Sequence, residues 1–448
     1  MPVLPSLTQE IKRKTKVAFS TLGCKLNFSE TSTIARNFDT DIFQTVRFHQ
    51  SADIYVINTC SVTENAEKKL TGLVRKSVRS NPKAKIIVTG CFAQLQPQKV
   101  SEIEGVALVV GAEKKFRLHQ LVTNLSKNHH PEIHACEIDQ VSTFKKSFSI
   151  AERTRAFLKI QDGCDYQCSF CTIPKARGKS RSDSIDNILQ NIKYLKNRQV
   201  NEIVLTGVNI GDYGRINPQS KKREYSFFDL LKAIDSLSHC PRIRISSIEP
   251  NLLNDQIIDL VQASPYFVPH FHIPLQSGSD HVLKLMRRRY NTTLYAKRIE
   301  KIKKSMPDAC VGVDVIVGFY GETDQEFEKT IDFINQLDIS YLHVFTYSER
   351  PNTKAMDFEL PAVPLEIRKQ RRKSLAKLSD EKKIRFYQTQ FNKTKTVLFE
   401  SQNKEGYLTG YTENYLKVRT PWNPQLANQL VACKPIKIDD QDFIRAEF

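Results

Sequence analysis

The sequence predicts an α/β protein of three parts: an N-terminal doubly wound α/β domain, a central partial (β/α)6 barrel and a small C-terminal OB-like β-barrel. Three observations predict this fold. Apolar runs alternate with amphipathic stretches early in the chain, six further strand-like runs each end in polar or glycine-rich residues, and five short β-like runs close the sequence. A chain of 448 residues is also too long for one hydrophobic core. The predicted domain boundaries are residues 14–125, 150–382 and 383–448.

The N-terminal part alternates predicted strands and helices. Four short runs rich in β-branched residues predict buried parallel strands, and the stretch from Glu64 to Ser80 has helical periodicity. The four runs are residues 17–20, 54–57, 86–88 and 108–110. This alternation is typical of a doubly wound α/β sheet.

A cysteine follows each of the first three of these strands. Cys24 lies after the first strand, Cys60 after the second and Cys91 after the third. Because the carboxyl ends of parallel strands share one edge of a sheet, we expect the three thiols to converge there. Buried structural cysteines are the alternative interpretation, because free cysteine is common in protein cores. The repeated position beside glycine and polar residues favours three ligands of a 4Fe-4S cluster with one open iron.

The central part contains six strand-like runs, most of them followed by a helical pattern. The runs are residues 157–160, 202–205, 242–245, 271–275, 313–317 and 341–345. Six βα units form a partial barrel, and in barrels of this kind the chemistry takes place at the C-terminal ends of the strands. We therefore expect functional side chains in the loops that follow these six runs.

The loop after the first of the six runs carries three closely spaced cysteines, Cys164, Cys168 and Cys171. This CxxxCxxC spacing is one ligand short of a structural zinc site or an ordinary iron–sulfur cluster, and the closest histidines are His134 and His239. A 4Fe-4S cluster held by three thiolates keeps one iron open for chemistry. A zinc knuckle or a chance spacing is the alternative.

Charge and composition limit the class of protein. Lys and Arg number 67 against 49 Asp and Glu, and the resulting net charge of +18 favours a polyanionic partner, with nucleic acid as the first candidate. A basic surface that serves only solubility is the alternative. Ten cysteines over this length do not make a disulfide scaffold, and the sequence has no signal peptide and no apolar stretch of membrane-spanning length. We expect a cytoplasmic protein without a membrane segment.

The C-terminal part begins with a strongly basic helical stretch from Leu365 to about Gln390, for which a solvated helix face is the common interpretation. Five β-like runs follow. They are residues 396–399, 406–411, 415–419, 429–432 and 442–445. Five such strands predict a small OB-like barrel, a frequent nucleic-acid binder, whereas an inert capping domain is the alternative. The remaining cysteines that lack ligand-like spacing are interpreted as ordinary thiols: Cys136, Cys240, Cys310 and Cys433.

Both cysteine sets, their order and the basic β-rich tail resemble the radical S-adenosylmethionine (SAM) methylthiotransferases over nearly the whole chain. Within the family, three segments resemble the MtaB type most closely. They are Gly23-Cys24-Lys25-Leu26-Asn27, Asn58-Thr59-Cys60-Ser61-Val62-Thr63, and Cys171 to Ser182. Two positions depart from the family pattern: Tyr320 stands where Pro is usual, and Asn352 stands where Gly is usual.

The resemblance implies the roles of particular residues. The cluster at Cys164, Cys168 and Cys171 would bind SAM, pass it one electron and release a 5′-deoxyadenosyl radical, while a cluster at Cys24, Cys60 and Cys91 would carry the sulfur to be inserted. Four residues are predicted SAM or cluster contacts: Phe170, Gly207, Glu249 and Gln276. The C-terminal barrel would be the family's TRAM domain.

The resemblance also implies the substrate and the partners. The MtaB type methylthiolates C2 of N6-threonylcarbamoyladenosine at position 37, in the anticodon loop of tRNA. Two SAM molecules and a low-potential electron donor such as flavodoxin or ferredoxin are implied, and a monomer suffices. The alternatives are a MiaB-type enzyme acting on isopentenyladenosine, a RimO-type enzyme acting on a ribosomal protein, and a non-catalytic RNA-binding protein with structural clusters.

Overall fold

The computed structural model describes the residues in these ranges: 13–60, 64–123, 125, 130–150, 154–216, 220, 222–439 and 442–448. Ser61, Val62 and Thr63, which belong to one of the segments quoted above, lie outside the described residues. The chain forms two compact units, residues 1–27 with 33–136, and residues 28–32 with 137–448. Within the described ranges, no helix combines the length and the apolar character that a membrane crossing requires.

The first unit contains a six-stranded parallel sheet in the order β2-β1-β3-β4-β5-β6. Its strands are β1 (Thr15–Thr21), β2 (Phe43–Val46), β3 (Ile54–Thr59), β4 (Lys85–Gly90), β5 (Val106–Val110) and β6 (Glu132–His134). Its helices are α1 (Lys25–Arg36), α2 (Glu64–Ser80), α3 (Cys91–Leu95), α4 (Pro97–Ser101) and α5 (Leu118–Thr123). Every side chain of β3 is buried, as expected for a central strand covered on both faces.

The four strands predicted for this region are confirmed, and the doubly wound class with them. Two edge strands were not predicted, because β2 and β6 are short and mix polar with apolar residues. The strand order reverses between β1 and β3, which are direct neighbours in the sheet. In open α/β sheets, ligands bind in the crevice outside the strand ends at such a switch point.

The second unit contains six parallel strands in chain order. They are β7 (Arg155–Lys159), β10 (Glu202–Thr206), β11 (Arg242–Ile245), β12 (His270–His272), β13 (Cys310–Val317) and β14 (Tyr341–Thr346). Two three-stranded sheets, β11-β10-β7 and β12-β13-β14, are joined by a parallel bridge between Ser247 and His272. The predicted partial barrel is confirmed.

Helices cover the outer face of this sheet. They are α7 (Ile185–Asn197), α8 (Phe227–Asp235), α9 (Asp255–Ala263), α10 (Asp280–Leu285), α11 (Thr292–Ser305) and α12 (Asp324–Gln336). Alternate strand residues such as Ile203, Leu205 and Val313 pack against helix residues such as Ile192 in one continuous apolar core. The other strand residues face the interior of the partial barrel. Many of these are polar, Lys159 and Arg244 among them, and both are buried.

The basic segment forms one long helix, α13 (Leu365–Gln388), and only part of it is solvated. Arg368, Arg371 and Lys382 are buried. Arg371 pairs with Glu322 at 2.6 Å, and Lys382 donates to the carbonyl of Leu337 at 2.8 Å. The interpretation of the whole run as a solvated face was therefore wrong for these residues, because long cationic side chains can pack their stems and satisfy their heads inside the fold.

The chain ends in a closed five-stranded barrel, as predicted, with strands in the order β15-β16-β17-β19-β18. The strands are β15 (Lys395–Phe399), β16 (Tyr407–Thr412), β17 (Lys417–Pro421), β18 (Leu430–Ile438) and β19 (Ile444–Glu447). The predicted boundary at residue 383 falls inside α13, and Phe386 and Tyr387 near the end of that helix pack into the core of the barrel.

One buried carboxylate links the amino-terminal ends of β10 and β11 to the C-terminal barrel. Glu202, the first residue of β10, receives hydrogen bonds from Arg242 at 2.6 Å and Arg244 at 2.8 Å. The same two arginines donate to the carbonyls of Thr396, Tyr411, Thr412 and Glu413 in the barrel. Although burial alone would raise the pKa of Glu202, Arg244 and Arg242 lower it to about 2.

Glu202→Gln should destabilise this end of the second unit by about 3–5 kcal/mol, because it leaves buried arginines without their anion. The free energy of unfolding can be followed by the fluorescence of Trp422, which is the only tryptophan and lies in the barrel. Because the pKa of folded Glu202 lies below its ordinary value of 4.5, its stabilisation is present above that pH and is lost as the pH falls toward 2.

The matched control is Asp308→Asn. Asp308 also joins the central strands to the barrel, through Lys393 at 2.6 Å and Lys395 at 3.0 Å, but its side chain is 37% exposed. A partly exposed pair contributes about 1 kcal/mol or less. Equal destabilisation by the two variants would contradict the special role of Glu202.

Candidate functional site

The three N-terminal cysteines lie at the carboxyl ends of β1, β3 and β4. Cys24 is exposed and immediately precedes α1, and Cys91 is buried and opens α3. Gly23, with a φ of +110°, lets the loop after β1 lie against the loop after β3. A Cβ on Gly23 would lie 2.7 Å from Cβ and 3.1 Å from Sγ of Cys60. Only glycine allows this approach.

The loop after β4, which carries Cys91, adjoins the loop after β3 in the same way. Gly90 has a φ of +99°, and a Cβ there would lie 2.4 Å from the Asn58 side chain and from the carbonyl of Thr59. The side-chain amide of Asn27 donates to the carbonyl of Thr59 at 2.9 Å and so holds the start of α1 at this edge of the sheet. The structure thus gathers the three cysteine-bearing loops at the switch point of the sheet, and the assignment of Cys24, Cys60 and Cys91 as ligands of one cluster stays a prediction.

The CxxxCxxC loop lies at the corresponding end of the second unit's sheet. It follows β8 (Gln161–Asp162) and is succeeded by α6 (Ile173–Arg177) and β9 (Arg181–Ser182). Strands β8 and β9 pair antiparallel, so they close the base of the loop. Inside the loop, the amide of Cys164 donates to Gly178 at 3.0 Å and that of Cys171 donates to Cys168 at 3.1 Å.

An ionic network centred on Asp162 fixes both ends of this loop. The Asp162 carboxylate accepts from Arg177 at 3.0 Å, Arg181 at 3.2 Å and Lys159 at 3.3 Å, as well as from the amide of Gly163 at 2.9 Å. Its charged partners are all buried. Glu30, one of the residues grouped with the second unit, accepts from Arg177 and Lys159. Because several partners meet each carboxylate, the network offsets the cost of burying the charges.

Gln161 joins the cysteine loop to the loop after β10. Its amide nitrogen donates to the carbonyl of Gly163 at 2.8 Å, and its carbonyl oxygen accepts from the amides of Val208 at 3.0 Å and Asn209 at 2.9 Å. Gly207 makes room for it, since a Cβ there would lie 2.9 Å from the Gln161 oxygen. The fully buried Gln161 therefore fixes the distance between the thiols and the end of β10.

Aromatic rings flank the third cysteine. Phe170 packs edge-on against Phe319 at 6.2 Å between ring centroids, and Phe319 packs in the same manner against Tyr347 at 4.9 Å. Tyr320, one of the departures from the family pattern, joins this cluster at 5.7 Å from Tyr347. The replacement of Pro by Tyr320 therefore extends an apolar wall beside the cysteine loop.

The second departure, Asn352, also has a structural reason. Its φ is +63°, in the left-handed region that glycine adopts freely and that asparagine tolerates better than other residues do. Lys175, shortly after the third cysteine, donates to the carbonyl of Asn352. Asparagine thus preserves the turn that a glycine would make.

The three thiols of the loop are partly buried. Burial raises the pKa of Cys164 and Cys168, and it raises that of Cys171 to about 12. The negative charge of Glu249 raises these values further, whereas Arg288 lowers those of Cys168 and Cys171. Such thiols keep their protons until a metal centre displaces them.

Unpartnered polar atoms line the strand ends near this loop. Both side-chain amide atoms of Asn209, the carbonyl oxygen of Gln276 and the hydroxyl of Thr206 are buried, and they find no hydrogen-bond partner among the described residues. Gln276 also has a φ of +66°, which is unusual for a residue with a side chain. Buried polar groups are normally paired, so these atoms fit a polar ligand.

The remaining predicted contact, Glu249, lies after β11 and pairs with Arg288. A thiol-only set of three donors fits an iron–sulfur cluster with an open iron, and the polar strand ends fit the amino acid and nucleoside parts of SAM. No three His, Cys, Asp or Glu side chains of the described residues are arranged to hold a single metal ion. The assignments of Phe170, Gly207, Glu249 and Gln276 stay predictions.

Sequence reasoning missed three residues of this site: Gln161, Asn209 and Arg288. Gln161 and Asn209 follow predicted strands, so their position after a strand was an available signal. Arg288 is the middle member of the run Arg287-Arg288-Arg289. Nothing in that run distinguishes the one arginine whose side chain is buried.

Comparison with protein families identifies both cysteine-bearing regions. Residues 158–334 match the Radical SAM superfamily, and residues 16–111 match Uncharacterized protein family UPF0004. Among solved structures, the radical S-adenosylmethionine methyltransferase TsrM from Kitasatospora setae, with cobalamin and a [4Fe-4S] cluster bound, is similar in fold, with a TM-score of 0.57 at 12% identity over 77% of each chain.

Similarity to curated proteins extends over most of the chain. The threonylcarbamoyladenosine tRNA methylthiotransferase MtaB of Bacillus subtilis is 37% identical over 94% of both chains, and that of Aquifex aeolicus is 34% identical over 90% of this chain and 96% of its own. The tRNA-2-methylthio-N(6)-dimethylallyladenosine synthase of Desulfitobacterium hafniense is 31% identical over 95% of both chains.

Gly163→Ala should disrupt the CxxxCxxC loop. Gly163 has a φ of +71°, and an added Cβ would lie 2.0 Å from the carbonyl of Lys179. We expect the variant to lose the iron bound at this loop after anaerobic reconstitution, while its far-UV circular dichroism stays near that of the wild type. The measurement is iron per chain.

Gly72→Ala is the control for the same chemical change. Gly72 lies in α2, and nothing lies within 4 Å of the position that an added Cβ would take, so this variant should bind the wild-type amount of iron. Wild-type iron content in Gly163→Ala would show that the loop tolerates the displacement and that its closure does not determine cluster binding.

Proposed function

The chain belongs to the radical SAM methylthiotransferase family, and we propose that it methylthiolates C2 of N6-threonylcarbamoyladenosine at position 37 of tRNA. Four MtaB enzymes are 34–37% identical to the chain, whereas the dimethylallyladenosine synthases, and one further MtaB enzyme, are 31–32% identical. The higher identities favour the threonylcarbamoyl substrate. The structural observation that carries the proposal is the closed three-cysteine loop at the carboxyl ends of a partial barrel's strands, next to unpartnered polar atoms.

The chemistry requires a radical, because the C2–H of adenine is too weakly acidic for a side-chain base to remove. When bound, a 4Fe-4S cluster at Cys164, Cys168 and Cys171 supplies the electron that cleaves SAM, and a second at the N-terminal cysteines supplies the sulfur. The second cluster is supported by the convergence of the three loops that carry Cys24, Cys60 and Cys91.

The protein's own residues hold and orient the reactants. Asp162 and Gln161 hold the cysteine loop beside the end of β10, so Asn209 and Gln276 can offer their unpartnered amide atoms to SAM. The apolar wall that includes Phe170 and Phe319 keeps water from the third cysteine. Exclusion of water protects a reactive radical from side reactions.

Exposed cations beside the cysteine loop suit an RNA substrate. Lys175 and Lys179 lie just after the loop, and Arg287 and Arg289 lie on the segment that contacts it, where Met286 accepts from the amide of Ser169. Such groups neutralise phosphates, and an unpaired loop base can then enter the opening. An external low-potential electron donor, RNA binding by the C-terminal barrel, a monomeric state and a cytoplasmic location are further parts of the proposal.

Mass spectrometry of tRNA nucleosides from a deletion strain tests the function. We expect complete loss of the 2-methylthio-threonylcarbamoyl nucleoside with accumulation of its precursor, and unchanged 2-methylthio-isopentenyl nucleoside where the strain makes it. A gene carrying Cys164→Ala should not restore the product, because a loop with two thiols cannot hold the cluster.

A gene carrying Cys240→Ala is the matched control and should restore the product, because Cys240 precedes the amino-terminal end of β11, whereas the CxxxCxxC loop lies at the carboxyl ends of the strands. Full retention of the threonylcarbamoyl product in the deletion strain would remove the proposed substrate. Loss of the isopentenyl product instead would favour the MiaB type, and a ribosomal protein that loses the mass of a methylthio group would favour the RimO type.

A further inference from the structure

Arg288 is fixed in an unusual position for an arginine. Its side chain is 4% exposed, and it follows Arg287, whose φ of +56° turns the chain sharply. The guanidinium donates to Sγ of Cys168 at 3.1 Å through Nη1 and to the hydroxyl of Tyr290 at 3.1 Å through Nε, while Nη2 pairs with Glu249. All three nitrogens are therefore engaged.

The partners of Arg288 are themselves anchored. The hydroxyl of Tyr290 lies 2.8 Å from the carbonyl oxygens of Pro274 and Leu275, and the backbone amide of Arg288 donates to Leu283 at 2.9 Å. The cysteine loop is held to the same segment, because Ser169 donates through its hydroxyl to Leu285 at 2.7 Å. The geometry thus directs one N–H of the guanidinium at one cysteine sulfur.

We propose that Arg288 and Glu249 together set the reduction potential of the cluster bound by Cys164, Cys168 and Cys171. The inference rests on the proposed function, which supplies the cluster. Arg288 acts through Cys168 as a positioning and tuning residue: its positive charge and its N–H···S hydrogen bond stabilise the reduced cluster and raise the potential. Glu249 opposes this effect.

The physical basis is the change in charge on reduction. One electron from an external low-potential donor enters the cluster, no covalent bond forms or breaks, and the added negative charge spreads over the sulfur atoms. Hydrogen bonds to the sulfurs and nearby net charge are the means by which proteins tune such potentials.

The pair also has a role that a single cation could not fill. Burying a guanidinium without an anion costs free energy, and burying an unpaired carboxylate near the thiols would cost more. Glu249 allows Arg288 to be buried at the sulfur, because it pairs with Nη2 while Nη1 stays directed at Sγ of Cys168. We therefore expect the arginine to dominate at Cys168 and the carboxylate to moderate it.

The test is a redox titration followed by electron paramagnetic resonance. It uses the full chain with Cys24, Cys60 and Cys91 replaced by Ala, so that only one cluster contributes, and it is carried out without SAM. Arg288→Gln should lower the equilibrium constant for one-electron reduction of the cluster at least about tenfold, which corresponds to a midpoint potential lower by about 59 mV. Glu249→Gln should raise it, and the double variant should fall between the two.

Arg287→Gln is the matched control, because it removes the same charge from an exposed neighbouring side chain and should leave the potential unchanged. An unshifted potential in Arg288→Gln with normal iron content overturns the inference. So does an unshifted potential accompanied by weakened SAM binding, which would make Arg288 a SAM ligand instead.

If Arg288→Gln binds no iron, Glu249→Gln decides alone: a raised potential supports the inference and an unchanged one overturns it. The failure of this inference differs visibly from failure of the proposed function. If the wild-type protein binds no cluster at the CxxxCxxC loop, both the proposed function and the tuning role are wrong. If a cluster is bound but its potential does not respond to either variant, only the tuning role is wrong.

Discussion

The placement of the CxxxCxxC loop depends on one buried carboxylate. Asp162 binds Lys159 before the loop and Arg177 and Arg181 after it, and it also accepts from the amide of Gly163 at the start of the loop. Three cations around one anion would be unstable in a dry interior without the second carboxylate that the network contains. With both ends of the loop fixed, a metal centre bound by its three cysteines would keep one position open for a substrate.

The two ends of the central strands serve different purposes. At the amino-terminal ends, Glu202 and its arginines join the partial barrel to the C-terminal barrel with every donor directed to a partner. At the carboxyl ends, Asn209 and Gln276 keep polar atoms unpartnered within the described structure. Satisfied polar groups give stability, and unsatisfied ones give binding capacity. The stabilising ion pairs therefore lie at one end of the central strands, and the groups available to bind a ligand lie at the other.

Periodic patterns made most of the fold predictable, and long-range contacts made the rest unpredictable. Buried strands and the cysteine spacings are local features of the sequence. The sheet, the partial barrel and the placement of Cys24, Cys60 and Cys91 after neighbouring strands could therefore be predicted. Short edge strands with mixed polarity could not. The buried positions of Arg288 and Arg371 depend on partners tens of residues away, and a run of cations looks the same whether one member is buried or none is.

The central claim is that the CxxxCxxC loop holds a 4Fe-4S cluster with one iron left open for SAM. The most direct measurement uses the variant in which Cys24, Cys60 and Cys91 are replaced by Ala, with SAM labelled at its amino and carboxylate groups. We predict about four irons per chain and, by electron–nuclear double resonance, direct coupling between the labelled atoms and the reduced cluster. Zinc in place of iron, or a cluster that shows no coupling to SAM, would contradict the account.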